Sequence, residues 1–503
     1  MKKHRFSTVI PSLGFALDGS KIRREAKRSR LLENLSSLAI GAMERLERGA
    51  IANGSENRMV GHYWLRAPEL APTDAIRASI EETRTSIYEF TRKVHRGEIM
   101  ANGRHFTHLL CIGIGGSALG PQLLCDALRP PRSPMEVFFI DNTDPDGFVR
   151  CFLAVENHLD RTLVLVTSKS GSTPEPRNAL VSTVEFFHSR GIRFADRAIA
   201  ITGEGSSLHR QAVWEKWLGT FPMWDWVGGR TSITSAVGLL PAALCGVNVE
   251  AFLNGAAAMD RHTRGLENNP ALLLAQCWYH AVEGKGKRDM VILPYRDALS
   301  LFPRYLQQLV MESLGKRCNR QGEEVWQGVS VYGNKGSTDQ HAYIQQLRDG
   351  PNNFFATFIG VLNRQRFNGD VDFLSSLITA SDYLEGFLLG TQAALNENGR
   401  QTISITLDKL DAFSLGMLIA LYERAVGFYA EFIDINAYDQ PGVEAGKKAA
   451  ARILALKEKV LNYLGKQRKS MIPEASIIAK QLECKDDVEM IAILLQRMGY
   501  GDV

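Results

Sequence analysis

The residues with most chemistry to offer stand just beyond apolar runs. "TSKSGSTPEP", residues 167–176, follows "TLVLV" and leads into a helical pattern. In an open parallel sheet, ligands bind beyond the carboxyl ends of the strands, where a loop enters a helix. A helix N-terminus presents unpaired N–H groups and a positive dipole end, which together suit an anion. Ser168, Ser170 and Thr173 add hydroxyl donors, Lys169 adds a charge, and Gly171 gives room for close approach. Ser172 and Glu175 have capping-box spacing, and Pro174 is tolerated in the first helical turn. Phosphate is the natural guest. The competing reading is a capped loop whose hydroxyls serve only its own backbone.

Five further stretches carry candidate groups. "GIGGSALG", 113–120, is another glycine-rich strand-to-helix turn, with Ala118 in the last place of a G-x-G-x-x-G pattern. Asp141 ends the next apparent strand, so a nicotinamide dehydrogenase is an alternative reading. A dinucleotide site does not call for a second, hydroxyl-rich loop with a lysine. Gly116 could equally let backbone approach a small sugar, with Ser117 as a donor. "DWVGGRTSITSAVG" sets Arg230 after two glycines, where a guanidinium can approach a developing negative charge. The competing fate is a surface ion pair. In "YLQQLVMESLGKR", Gln308 and Glu312 share a helix face among apolar neighbours, so Glu312 is either the partly buried carboxyl that a general base requires or an ordinary exposed glutamate on an amphipathic helix. "GNKGSTDQHAYIQQLRDG" offers His341 beside Asp339 and Gln340, past another glycine-rich strand end, where the competing reading is a structural histidine. "AYDQPGVEAGKKAA" sets Gln440 and Lys447 about two turns apart if a helix starts near Pro441.

The elements that must position these groups follow from texture. Residues 21 to about 100 are charge-rich with helical spacing. Then "HLLCIGIG", "EVFFIDN", "TLVLVTS" and "RAIAITG" alternate with helical segments, as strands buried on both faces of a parallel sheet do. A second series, "DMVILPY", "VWQGVSVYG", "FFATFIGVL" and "QTISITL", follows from about 270. The expected organisation is an N-terminal helical segment at 1–100, α/β units at 101–250 and 251–449, and a helical extension at 450–503. The boundary between the α/β units falls within "GVNVEAFLNGAAAMDRHTRGLENNPA".

Composition excludes several classes. The 503 residues exceed what one core holds, and 59 Lys plus Arg against 55 Asp plus Glu leave +4, too little to argue for nucleic acid or membrane. The 7 cysteines are scattered and form no C-x-x-C, which argues for a reducing compartment and against a zinc site. The N-terminal "MKKHRFSTVIPSLGFALDGS" imitates a signal peptide, but its apolar run holds Ser, Thr and Pro and no A-x-A site follows. "FSLGMLIALYERAVGFYAEFI", interrupted by Glu423 and Arg424, fits a buried helix better than a membrane span. The expected location is cytoplasmic.

In order along residues 60–450, "GIGGSALGP", "SKSGST", "VGGRTSITSAVG", "MES", "QHAY" and "YDQPGVEAGK" resemble the phosphoglucose (glucose-6-phosphate) isomerase family. Thr231 stands where that family usually has an aromatic residue, a change expected to affect packing and not chemistry; "SKSGST" also differs from a threonine-rich version in some members. The resemblance implies an α/β fold of two sugar-isomerase (SIS) domains, each a mainly parallel sheet sandwiched by helices, with an N-terminal helical arm and a C-terminal helical extension. It implies interconversion of glucose 6-phosphate and fructose 6-phosphate through ring opening and a cis-enediol. Ser168, Lys169, Ser170 and Thr173 would hold the phosphate, while Gly116, Ser117, Gln308 and Gln440 would line the sugar site. His341 and Lys447 would open the ring, Glu312 would move the proton between C1 and C2, and Arg230 would stabilise the intermediate. No metal or redox cofactor is implied, because aldose and ketose share one oxidation level. The implied partner is a sugar phosphate, without nucleic acid or membrane, and the implied assembly is a homodimer whose active sites borrow His341 from the neighbour. SIS domains also occur in non-catalytic sensors. Such a protein would have lost the base and acid, whereas Glu312, His341 and Lys447 are all present.

Overall fold

The computed structural model describes residues 6–363, 378–465 and 473–500. The chain opens on a hairpin, β1 (Ser7–Ile10) and β2 (Phe15–Asp18), before helices α1 (Ala26–Glu47) and α2 (Asp74–Arg96). In the stretch 1–100, expected as helical, the described residues before Ala26 hold this hairpin and one short 3-10 turn, and α-helix begins at Ala26. The reason lies far along the chain: β2 pairs antiparallel with Gln401–Leu407, in the register Leu17↔Ile405. Phe15 and Leu17 are buried while Asp18 faces out, the period-2 pattern of a strand covering a sheet edge.

The first sheet comprises β3 (His108–Ile112), β4 (Glu136–Ile140), β5 (Thr162–Thr167), β6 (Ala198–Thr202) and β7 (Gly219–Pro222), in the order β4-β3-β5-β6-β7 and all parallel. Four of these are the apolar runs read from sequence. β7 carried too weak a signal, since Phe221 is the one large apolar residue in "GTFP". Helix α3 (Gly116–Leu128) follows β3, α4 (Pro174–His188) follows β5, and α5 (Ala236–Leu244) closes this half.

The second half adds α6 (Val249–His262), α7 (Pro270–Ala281), β8 (Asp289–Pro294), α8 (Phe302–Leu306), β9 (Val331–Tyr332), β10 (Phe354–Val361), α9 (Ala380–Glu397), β11 (Gln401–Leu407) and α10 (Ala412–Phe432). Its sheet runs β1-β2-β11-β10-β8-β9, with β8 to β11 mutually parallel. "VWQGVSVYG" is not one strand. Glu324–Gln327 pairs with Lys316–Cys318 in a separate ribbon, and only Val331–Tyr332 joins the sheet.

Both sheets are apolar on both faces, and the alternation sorts their residues. Leu109, Cys111, Leu163 and Leu165 of the first sheet share one apolar cluster with Met290, Ile292, Ile403 and Ile405 of the second. The intervening residues Leu110, Ile112, Val164 and Val166, and Val291, Leu293 and Phe358, turn to separate outer clusters. The shared cluster includes α5, α6, α7 and α10, so most of the stretch expected to be a domain boundary, 246–271, is the helix α6, whose apolar face is buried in that cluster, with an exposed turn at 265–268 before α7. One compact unit consequently runs from Met1 to Tyr438.

A second unit, Asp439–Val503, holds α11 (Pro441–Leu464), α12 (Ala475–Gln481) and α13 (Val488–Arg497). Leu456 and Val460 of α11 pack with Ile478, Ile491 and Leu495, so the two short amphipathic helices read from sequence bury their faces on α11. The boundary expected at 449/450 thus falls inside a continuous helix.

The apolar stretch 413–433 forms α10, buried along almost its whole length. Among the described residues, no helix is long and apolar enough to cross a membrane. Glu423 and Arg424 sit inside the core in an ion network. Arg66 donates from Nε and Nη2 to Asp260 at 2.5 and 3.0 Å and from Nη1 to Glu423. Arg424 meets Glu47, which also accepts from Arg264 Nε at 3.0 Å.

Candidate active site

The hydroxyl-rich loop leaves β5 and enters α4 with Thr173 as the N-terminal capping residue and Pro174 as the first helical residue. The expected capping box does not form, for no side chain caps this helix. Ser170 Oγ instead accepts from Ser172 N at 3.2 Å and Ser172 Oγ at 2.9 Å. The buried Ser168 Oγ has no partner. Hydroxyls and uncapped N–H groups therefore face one end of a 15-residue helix, the arrangement that suits an anion. Gly171 is required here. Its φ is +70°, and a Cβ would stand 2.5 Å from Leu208 N.

Lys169 does more than the sequence disclosed. Its Nζ donates to the carbonyls of Asp225 and Val227 at 3.0 and 3.2 Å, tethering the loop that precedes Arg230. Burial lowers its pKa, opposed by the Asp225 carboxylate 3.6 Å away.

That tethered loop meets the glycine-rich turn after β3. A Cβ on Gly116 would lie 1.9 Å from the carbonyl oxygen of Gly229, so only glycine permits this approach. Ser232 Oγ closes the same junction, donating to Gly229 O at 2.7 Å. Ser117, partly buried, is in the first turn of α3. Thr231 spends its hydroxyl locally, on Gly228 O at 3.2 Å, which agrees with a packing role. Asp141, the candidate ribose ligand, accepts from Gln122 at 2.9 Å and faces Arg304 at 3.6 Å.

Arg230 is 4% exposed and held on every side, which removes the surface ion-pair reading. Nε donates to Ser313 Oγ at 2.7 Å, Nη2 to Ala437 O at 2.6 Å, and Nη1 lies 3.2 Å from Glu312 Oε2. Glu312 ends a π-helical turn, Gln307–Glu312, that continues α8. Such wide turns recur at functional sites. The partly buried environment expected for Glu312 is observed, its side chain being 19% exposed. Gln308 reaches the glycine-rich turn, with Nε2 3.1 Å from the position a Cβ on Gly115 would take, and its buried Oε1 lacks a partner. Ile114, Gly115, Asp141, Arg304, Gln307 and Gln308 border a cavity of about 250 Å³.

The first unit therefore joins four of the predicted motifs: Lys169 to the Arg230 loop, that loop to Gly116, and Arg230 to Glu312. His341 is exposed on a turn whose neighbours are anchored elsewhere: Gln340 bonds Thr391 of α9, and the buried Asp339 accepts from Asn334 N at 3.0 Å and from Tyr343 OH at 2.5 Å. Gln440 and Lys447 belong to the second unit. Gln440 precedes α11, which starts at Pro441 as expected, and Lys447 pairs with Glu444 at 2.8 Å. Sequence reading missed Ser313 and Ala437. A small hydroxyl amid "LVMESLG" was a usable signal for the first; the second acts through its carbonyl and leaves none.

The family model described as phosphoglucose isomerase matches residues 20–385 and 388–465. The chain belongs to the phosphoglucose isomerase family. It is 54% identical over 492 residues to a glucose-6-phosphate isomerase of Synechococcus sp. (strain JA-3-3Ab), covering 97% of this chain and 92% of the relative. With a glucose-6-phosphate isomerase of Geotalea daltonii it shares 51% identity over 502 residues, 99% of this chain and 94% of the relative. The crystal structure of a glucose-6-phosphate isomerase from Chlamydia trachomatis superposes with a TM-score of 0.80 at 28% identity, covering 96% of this chain and 94% of that one. Family membership displaces the dehydrogenase reading of "GIGGSALG", and the observed helix-sandwiched parallel sheets are the α/β fold that the resemblance implied.

Proposed function

We propose that this chain interconverts glucose 6-phosphate and fructose 6-phosphate, with Glu312 as the base and Arg230 as the cation beside the reacting carbons. The observation that carries the reading is the buried Arg230 guanidinium 3.2 Å from the Glu312 carboxylate. In the open-chain aldose, Glu312 takes the proton from C2 and the electron pair moves onto O1, giving the cis-enediol as its anion, in which the O2 proton passes to O1. Returning the proton from Glu312 to C1 closes the O2 anion to the ketose carbonyl and restores the carboxylate. Negative charge that leaves the carboxylate reappears on the enediol oxygens, close to the same guanidinium, where a fixed cation in a dry site is most effective. Ser168, Lys169, Ser170 and Thr173 hold the phosphate; Gly116, Ser117, Gln308 and Gln440 line the sugar site; His341 and Lys447 open the pyranose ring. The deciding experiment is a coupled assay converting fructose 6-phosphate to glucose 6-phosphate. No turnover by the folded protein would remove the reading.

Lys169→Ala and Thr173→Val should weaken a phosphorylated sugar acid much more than its unphosphorylated counterpart. Each charge-assisted hydrogen bond is worth about 1.5–3 kcal/mol. Because Lys169 also tethers the Arg230 loop, Lys169→Ala should lower kcat as well, whereas Thr173→Val should act on binding alone. Inhibition constants unchanged in both variants would remove the phosphate assignment.

The protein works as a homodimer in the cytoplasm, each site taking Glu312 from one chain and His341 from its partner. Support comes from the exposure of His341 on a turn whose Gln340 bonds Thr391 of α9. When Glu312→Gln and His341→Ala chains are co-expressed equally, half the dimers are hybrids with one intact site, so activity should recover to about a quarter of wild type. If both residues act within one chain, every site is defective. Hybrids isolated without recovered activity would refute the shared site.

A further inference from the structure

Arg230 must keep one orientation while charge develops beside it, and its long side chain does not guarantee that by itself. The Nε and Nη2 donors form one edge of the guanidinium, and both are taken by acceptors: Ser313 Oγ at 2.7 Å and Ala437 O at 2.6 Å. Two bonds on one edge of a planar group fix its plane, and this plane presents Nη1 to Glu312 at 3.2 Å. Ser313 is 2% exposed and directly follows Glu312, so consecutive residues of one helix end grip two different nitrogens of the same cation. That helix end is itself pinned. Lys316 Nζ donates to the carbonyls of Glu312 and Ser313 at 2.7 and 2.9 Å. From the other side, Tyr305 OH donates to Arg230 O at 3.3 Å.

We propose that Ser313 is a positioning residue for the isomerisation, its hydroxyl holding the Arg230 guanidinium in the orientation that stabilises the enediol. This rests on the assignment of Arg230 and Glu312 above. Without the hydroxyl, the guanidinium can pivot about Cζ around its remaining contacts. A misdirected cation weakens stabilisation of charge that exists only after proton abstraction, so the loss belongs in kcat and not in KM.

The test uses Ser313→Ala and Ser313→Cys, each alone and combined with Arg230→Ala. The thiol preserves volume but is a poor acceptor, so it decides the matter if the alanine variant fails to fold. Two probes accompany turnover of fructose 6-phosphate. One is an open-chain polyol phosphate, a ground-state shape without charge at C1 and C2; the other is a sugar-phosphate hydroxamate, planar and charged like the enediol. Losing one hydrogen bond to a charged group should lower kcat and hydroxamate affinity about 10- to 100-fold. KM and polyol phosphate affinity should stay within about threefold. Because Ser313 acts through Arg230, adding Ser313→Ala to Arg230→Ala should cost less than about threefold more. A loss that multiplies in full on the Arg230→Ala background, or no loss in the single variants while Arg230→Ala loses hydroxamate affinity, overturns the positioning role alone. If Arg230→Ala itself keeps wild-type hydroxamate affinity, the assignment of Arg230 falls and the proposal falls with it.

Discussion

Glu312→Gln is expected to abolish isomerisation while leaving sugar-phosphate binding within a few-fold of wild type. The amide keeps the shape of the carboxyl and can still accept from Arg230, but it cannot take the C2 proton. General-base catalysis contributes about 10²–10⁴-fold, and more where proton abstraction is itself the bond-breaking step, so kcat should fall at least about a thousandfold. Incorporation of solvent deuterium at C2 reports that step directly, independently of ring opening. Exchange at the wild-type rate would show that Glu312 is not the base. The substitution also removes the charge beside a guanidinium that is 4% exposed, so some loss of stability is expected. Denaturation curves therefore have to accompany the kinetics, and the amide must lose activity while still folded.

The strands that carry these loops were legible because a parallel sheet buried on both faces requires uninterrupted apolar runs, and "TLVLV" or "FFATFIGV" have few other uses. The hydroxyl loop was legible for a related reason: its groups lie at a strand end, where the fold leaves a helix N-terminus open. What escaped was set by partners distant in sequence. β2 is a strand because Gln401–Leu407 leaves an edge for it, and nothing in residues 1–25 announces that edge. The capping box at Ser172 and Glu175 failed because the helix starts one residue later than the motif supposes, with Thr173 as its cap. The tandem α/β series was read correctly, yet "GVNVEAFLNG" sits within a core shared by both sheets, since helices facing two sheets must be apolar on both sides. Lys169 shows the same limit at the site. Its charge was visible in the sequence, but the carbonyls of Asp225 and Val227 that share it were not.

Arg66→Met is expected to destabilise the protein by about 3–5 kcal/mol, because it strands buried carboxylates. Arg66 and Asp260 have fully buried side chains, and Glu423 is likewise fully buried with Oε1 unpartnered. Burial pushes the Glu423 carboxyl up to about 7, against the attraction of Arg66. With Arg66 gone, burial acts with less opposition and the folded-state pKa rises further. A carboxyl whose pKa is higher folded than unfolded binds more protons in the native state, so stability falls as pH rises through the folded value. The loss in Arg66→Met should thus be larger at pH 8 than at pH 5, where Glu423 can take up a proton and shed its charge. Adding Glu423→Gln removes that charge permanently, so the double variant should recover part of the stability at pH 8 and little at pH 5. Urea denaturation of the single and double variants at the two pH values provides the measurement. An equal loss at both, unrelieved by Glu423→Gln, would mean that lost packing of the arginine stem, and not the stranded carboxylate, sets the cost.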